Sequence, residues 1–430
     1  MASMENPRCG EHTDRMSLEQ GDIAVVGAGV IGLMTSLSLL DTGRSVTLID
    51  PDPPGQGASF GNAGVIANYG VKPLAEPSLL LTGPGLLFKK DGPLAIQPGA
   101  RRAVLPWLMQ FASACLPWHQ ERLQKALASM IVDADVRWQD VIHRVDASDE
   151  WQRKGCLYVF ADARSRRQAE RDARVRKRWG VACELLSEAE LSQLEPSLSG
   201  RFKGATFFPD AAALSDPGAI TRAIASELLR LGINLHQGKV TEIHPLGGSV
   251  EVRCAEGDCA RFEQVVLAAG AHSQGLLQSL GISAPLISER GYHLEYEATL
   301  SINRPVCSIA HGFYVSPMTG RIRAAGTVEL GGVSAPPSNY RWEAIDRTMR
   351  AWFQELPGAH SRWMGHRPST PDSLPLVGTA PVSDRVLCAV GHGHVGMTLA
   401  PWTADAIAGL ANGESTDSAL HPFRPHRFNE

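Results

Sequence analysis

Three glycines at Gly27, Gly29 and Gly32 carry the spacing G-x-G-x-x-G, and they are the residues whose type and spacing most directly point to chemistry. An apolar run at 23–26 precedes them, and an apolar pattern of helical period follows at 33–40, with Gly43 as its stop. In such a strand–turn–helix the first glycine permits a tight turn and the second lets backbone approach a pyrophosphate. The third lets the helix pack closely on the strand. Residues 46–49 read as a second strand with Asp50 at its C-terminal end, where a carboxylate can accept hydrogen bonds from the ribose hydroxyls of an adenine dinucleotide. FAD and NAD both satisfy this fingerprint. A further glycine-rich stretch at 55–70 (GQGASFGNAGVIANYG) can lie against a flat or charged ligand, with Ser59 and Asn62 as its polar side chains.

These residues need a scaffold, and a chain of 430 residues with 43% hydrophobic content can build two or three domains. The formal charge of −4 gives no reason to expect a nucleic-acid partner. Residues 1–20 are polar, lack an apolar export core and read as a loose N-terminal tail. A cytoplasmic, reducing setting follows, with the eight cysteines expected as free thiols. They form no C-x-x-C pair and no Cys/His cluster of ligand spacing, so no metal site is expected. Residues 23–40 are apolar enough to mimic a membrane span, but three glycines and the strand–turn–helix pattern favour a soluble element. The apolar stretch 104–118, interrupted by Pro106 and Pro117, reads as a buried helix. The alternative for it is peripheral contact with the inner face of a membrane.

Further along, helical patterns run over 125–146 and 164–178, the latter with seven arginines and one lysine. A solvated face is the preferred reading of that basic helix, ahead of a patch for anionic lipid. Asp216–Pro217 should start a helix over 218–231. Short strands follow at 233–235, 240–243, 250–254 and 264–267, the last running into Ala268-Ala269-Gly270. Residues 286–345 alternate as an antiparallel sheet in which Arg321 and Arg323 are assigned to salt bridges. A helix at 342–356, a strand at 386–390 and a helix at 398–410 close the chain.

The segments WMGHRPSTPDSLPLVG (363–378) and CAVGHGHVGMTLAP (388–401), taken in order with GAGVIG, GNAGVIA and LAAGA, resemble the D-amino-acid oxidase family of FAD-dependent oxidoreductases. Within that family the chain is most similar to the bacterial D-amino acid dehydrogenases, over residues 21–412. The resemblance implies an α/β fold: a Rossmann-like FAD-binding domain with an interleaved α+β substrate domain built on an antiparallel sheet. The corresponding divisions are 21–75, 215–285 and 364–430 for FAD, and 76–214 and 286–363 for substrate. It also implies FAD bound by Gly27, Gly29, Val30, Ile31 and Gly32 at the pyrophosphate, by Asp50 at the ribose and by the Val240 backbone at the adenine. Ser59, Asn62, Ala63 and Gly64 would border the flavin ring, with Ala269 and Gly270 near the pyrophosphate, and Gly365 is a further FAD-binding candidate. The loop Gly391, Gly393, His394, Val395, Gly396, Met397 and Thr398 would present N–H groups and a helix start to the flavin. No cysteine falls in that loop, where some relatives attach flavin covalently, so non-covalent FAD is expected.

By the same resemblance Arg367 matches the arginine that grips a substrate carboxylate, a task suited to a planar, permanently charged fork. Tyr314 matches the tyrosine that completes the grip. His394, His293 and Tyr292 are further candidates to line the pocket, and His392 is assigned to loop structure. The implied reaction is hydride transfer from Cα of a D-amino acid to flavin N5, giving an imino acid and then a 2-oxo acid. A cyclic substrate such as D-proline or a D-hydroxyproline suits it, and the electron acceptor is oxygen or a quinone. The alternatives are an amine oxidase of the glycine or sarcosine type, and an electron-transferring flavoprotein subunit.

Overall fold

The computed structural model describes residues 21–88, 94–297, 301–308, 310–414 and 417–429. Residues 1–20, read above as a loose tail, lie outside them. The opening strand Ile23–Val26 is flanked by Val46–Asp50 and Gln264–Leu267, all parallel and in register. Asn234–Gln237 extends this sheet on one side, and Ser383–Val390 followed by Leu376–Ala380 on the other. Only the last pairing is antiparallel. Ile23, Ala24 and Val25 are wholly buried, as expected of a central strand covered on both faces. The helix Val30–Asp41 is buried almost all round, and the C-terminal helix Gly396–Ala411 packs against it.

The second large sheet runs in the order Ser361–Ser369, Ile287–Glu297, Arg321–Gly331, Phe313–Met318, Val306–Ser308, Cys156–Phe160, Gly204–Phe208 and Glu184–Ser187, with Leu94–Ile96 attached to Arg321–Gly331. Its first four strands are antiparallel. The strand Ser361–Ser369, which carries Arg367, is absent from the sequence reading because Gly365 and Pro368 disguise it. Residues 240–262 do not return to the first sheet but form a separate three-stranded antiparallel one. The helical pattern 125–146 is two helices, Pro117–Ile131 and Ala134–Arg144.

The basic helix Ala163–Arg178 begins at an Asp162 capping box. Its face is not wholly solvated, because Arg176 is buried over the rings of Tyr158 and Phe208 and donates to the Tyr69 carbonyl. Cys115, Cys156, Cys183, Cys254, Cys307 and Cys388 are buried free thiols, whereas Cys259 is disulfide-bonded, against the expectation. No helix among the described residues is long and apolar enough to cross a membrane. Among the same residues no group of His, Cys, Asp and Glu is placed to hold a metal ion.

Candidate active site

The turn after the first strand is built of backbone alone. Gly27 sits at φ 109°, and a Cβ there would lie 2.5 Å from the Ala268 carbonyl oxygen. A Cβ on Gly32 would lie 1.8 Å from the Gly27 oxygen, so the helix seats on the turn only without a side chain there. In front of Gly29 the space is open, with Ser59 Oγ the nearest atom at 3.6 Å. That oxygen accepts from Val30 N at the helix start. The positive end of a helix with open space before a glycine suits a diphosphate, and this cradle therefore fits the dinucleotide named by the spacing.

Asp50 closes the neighbouring strand and accepts from Ala28 N (2.6 Å) and Asp52 N (2.9 Å). Burial raises its carboxyl above the ordinary range, while these two N–H groups oppose the shift. The Asp50 carbonyl accepts from Gly238 N, which brings Val240 to the same edge of the sheet. Asp50→Ala is expected to weaken FAD retention roughly tenfold to a hundredfold, the loss of charge-assisted hydrogen bonds at one group. Flavin content after dialysis measures it, and full occupancy in the variant would remove Asp50 from the site.

The glycine-rich loop is fastened from the second sheet. Arg323, 1% exposed, donates to the carbonyls of Phe60 (3.1 Å) and Asn62 (2.6 Å), and its other nitrogens reach Glu295 at 3.0 and 2.7 Å. Arg321 binds the same carboxylate. Burial would raise Glu295, but the two guanidinium groups hold it at about 2. Asn62 Oδ1 caps Gly64 N within the loop, and Ala67 N donates to Thr398 Oγ1 of the last helix. His293 lies under the loop, with Nδ1 3.2 Å from the Gly61 carbonyl and its ring stacked on Trp363. The salt-bridge role expected of Arg321 and Arg323 is present. The grip of Arg323 on the loop carbonyls and the place of Trp363 against Gly61 were not legible, since neither has a motif.

Arg367 faces the same side of the sheet. Its guanidinium lies across Gly291, where a Cβ would come 2.3 Å from Cζ, and Nη1 reaches the Thr327 carbonyl at 3.4 Å. Burial lowers its pKa from the usual arginine value, with Glu289 opposing. Tyr314 presents its hydroxyl 2.6 Å from Tyr158 Oη and 3.2 Å from Tyr69 Oη. Tyr69 in turn donates to Cys156 Sγ. Burial raises Tyr314 well above the ordinary phenol, so it stays a neutral donor. Tyr69 and Tyr158 were missed because a lone tyrosine in a strand or loop carries no spacing signal.

His394 opens on to the cleft from the turn Gly393–Val395, which precedes the last helix. Tyr292 corrects its expected place beside the pocket. One residue from His293 on the strand, it points to the opposite face, donating to Glu329 at 2.6 Å and accepting from Ser338 N.

Three histidines held in the protein share one electrostatic fate. Burial pushes His392, held to Thr403 Oγ1 at 3.0 Å, down to about 3, and pushes His293 and His366 to about 4. An unfolded chain protonates these rings near pH 6.5. Between pH 6.5 and 4 the unfolded state therefore holds more protons, so stability falls as pH falls. The thermal midpoint is expected to drop between pH 7 and 5, with a shallower slope in His392→Gln. A midpoint flat across that window would contradict these protonation states.

A family model for FAD dependent oxidoreductases (DAO) matches residues 22–410. A D-amino-acid oxidase of Bradyrhizobium diazoefficiens is 34% identical over 419 residues, 94% of this chain and 98% of the relative. D-amino acid dehydrogenase 2 of Ralstonia nicotianae is 31% identical over 423 residues, 93% of this chain and 99% of the relative. Among solved structures, glycine oxidase from Geobacillus kaustophilus superposes with a TM-score of 0.74 at 22% identity, covering 95% of this chain and 99% of its own. L-proline dehydrogenase from P. horikoshii gives 0.71 at 18% identity, covering 96% and 98%. These two share the fold. The dinucleotide cradle and the match along nearly the whole described chain lead to one assignment: this protein is an FAD-dependent oxidoreductase of the DAO family.

Proposed function

We propose that the protein oxidises the α-amine of a D-amino acid, cyclic imino acids included, to an imino acid that water converts to a 2-oxo acid. The observation that carries this reading is Arg367, seated over Gly291 on the face that also meets the flavin loop through His293. The names of the two curated relatives reported above support the D-configuration. FAD, held non-covalently by the cradle, Asp50 and the loops at 59–64 and 391–398, supplies the hydride acceptor at N5 when bound.

The chain's own work is orientation. Arg367 pairs both oxygens of the substrate carboxylate. Tyr314, hydrogen-bonded to both Tyr158 and Tyr69 in the free site, turns its proton to that carboxylate. Cα–H then points at the loop 61–64, and catalysis comes from holding that geometry. The FAD-binding domain comprises the parallel sheet and its helices, and the substrate domain the larger sheet. The acceptor is oxygen or a quinone. Exposed Leu105, Met109 and Trp118 support peripheral contact with a membrane that holds a quinone.

A racemic amino acid incubated with the holoenzyme and an acceptor should lose its D half alone and release one 2-oxo acid per molecule consumed. Consumption of the L half, or oxidation restricted to glycine or sarcosine, would replace this function with an L-specific or simple amine oxidase.

A further inference from the structure

Glu289 takes no part in the cradle or the arginine seat, yet it is 4% exposed on the same sheet face as Arg367. The two are opposed across the paired strands, which sets their Cβ atoms about 5 Å apart. The Arg367 guanidinium instead lies over Gly291, two residues along, or roughly 7 Å of strand. Burial raises the Glu289 carboxyl, while the charge of Arg367, without an ion pair between them, and a hydrogen bond from Ser369 oppose that rise.

Beside Glu289 the Ser369 hydroxyl is buried too, and its hydrogen bonding toward the carboxyl lowers the carboxyl's pKa. Both line a cavity of ≈ 20 Å³ with His394, Thr370 and Ser373, and Trp107 forms part of its apolar wall. That volume admits about one group the size of a water molecule. Its polar lining is a carboxyl with one serine hydroxyl beside it, and the remaining carboxyl lone pairs call for a hydrogen-bond donor.

We propose that Glu289 and Ser369 form a subsite for the far end of the substrate, selecting amino acids whose side chain or ring carries a hydroxyl or ammonium group a few atoms beyond Cα. This rests on Arg367 holding the carboxylate, as proposed above. With the carboxylate over Gly291, a short side chain directed along the strand ends at Glu289. The cavity has room for the donor atom and for nothing longer. An apolar side chain of equal size leaves the buried Glu289 carboxyl short of a donor, and sites built to bond a polar group discriminate against such analogues.

The test compares kcat/KM of the holoenzyme for pairs matched in size: D-threonine with D-valine, D-homoserine with D-norvaline, and D-2,4-diaminobutyrate as the ammonium arm. The wild type should prefer the donor-bearing member at least tenfold in one pair or in the ammonium arm. Glu289→Leu should abolish that preference. Glu289→Gln, which keeps an acceptor oxygen, should retain a preference for hydroxyl and lose one for ammonium. Ser369→Ala should shift the ratio in the same direction by a smaller factor. Equal ratios in wild type and Glu289→Leu overturn the proposal, as does a uniform fall for all substrates, which would mean that Glu289 only balances Arg367. A wild type that oxidises none of these acids overturns the proposed function itself, and the subsite with it.

Discussion

Arg367→Lys is expected to leave FAD bound and to lower kcat/KM for a D-amino acid between about thirtyfold and several thousandfold, mainly through KM. The range is that for truncating one partner of a buried, hydrogen-bonded charge pair, about 2–5 kcal/mol. Lysine keeps the charge but not the fork, so it meets one carboxylate oxygen from a floppier stem and leaves Cα free to turn away from the flavin loop. The strand position tells against a merely structural arginine. Arg367 forms one long hydrogen bond, to Thr327, and its guanidinium rests on a glycine rather than on a protein carboxylate. Gly291→Ala provides the companion measurement. Its new Cβ would stand 2.3 Å from Cζ, displacing the guanidinium with every charge intact. A KM defect in Gly291→Ala comparable with that of Arg367→Lys is expected. An unchanged KM in Arg367→Lys would remove Arg367 from the grip.

Gly32→Ala should yield protein that purifies without yellow colour. The added methyl carbon falls 1.8 Å from the Gly27 oxygen and 3.0 Å from its carbonyl carbon. The helix must back away from the turn, which overpacks a core made of Val25, Leu33 and their neighbours at a cost of about 1–3 kcal/mol. The same movement withdraws the helix N–H groups from the diphosphate. Gly29→Ala separates the two effects, because its Cβ enters open space with Ser59 Oγ at 3.6 Å. The thermal midpoint of flavin-free Gly29→Ala should match that of flavin-free wild type, while its FAD affinity falls at least tenfold through lost backbone approach. Full flavin content in Gly29→Ala would place the pyrophosphate elsewhere.

Much of the first sheet was legible because its signals are local. A strand, a glycine turn and an acid within thirty residues state their own geometry, and Ile23–Val26, Val30–Asp41 and Val46–Asp50 lie where that geometry requires. The Arg367 strand was hidden because Gly365 packs on Trp363 and Pro368 belongs to the sheet's outermost strand, so both break the alternation by which strands are recognised. Tyr292 was misplaced for a related reason. The whole of Ile287–Glu297 except its last residue is buried, and a strand buried on both faces does not advertise which one meets the cleft. Arg176 read as one charge in a run, yet a long-range contact with Tyr69, Phe208 and Tyr158 takes it out of solvent. Contacts of that kind leave no periodicity. Glu289 and Ser369 were silent too, since a single carboxylate and a single hydroxyl acquire meaning only when a fold sets them around one cavity.

Anaerobic reduction of the holoenzyme's visible spectrum by single amino acids tests the D-amino acid activity most directly. D-amino acids, D-proline among them, should bleach the flavin band while their L-forms, glycine and sarcosine leave it intact, and Arg367→Lys should need far higher concentrations for the same bleaching. A spectrum bleached equally by L-forms, or by none of these compounds, would contradict it.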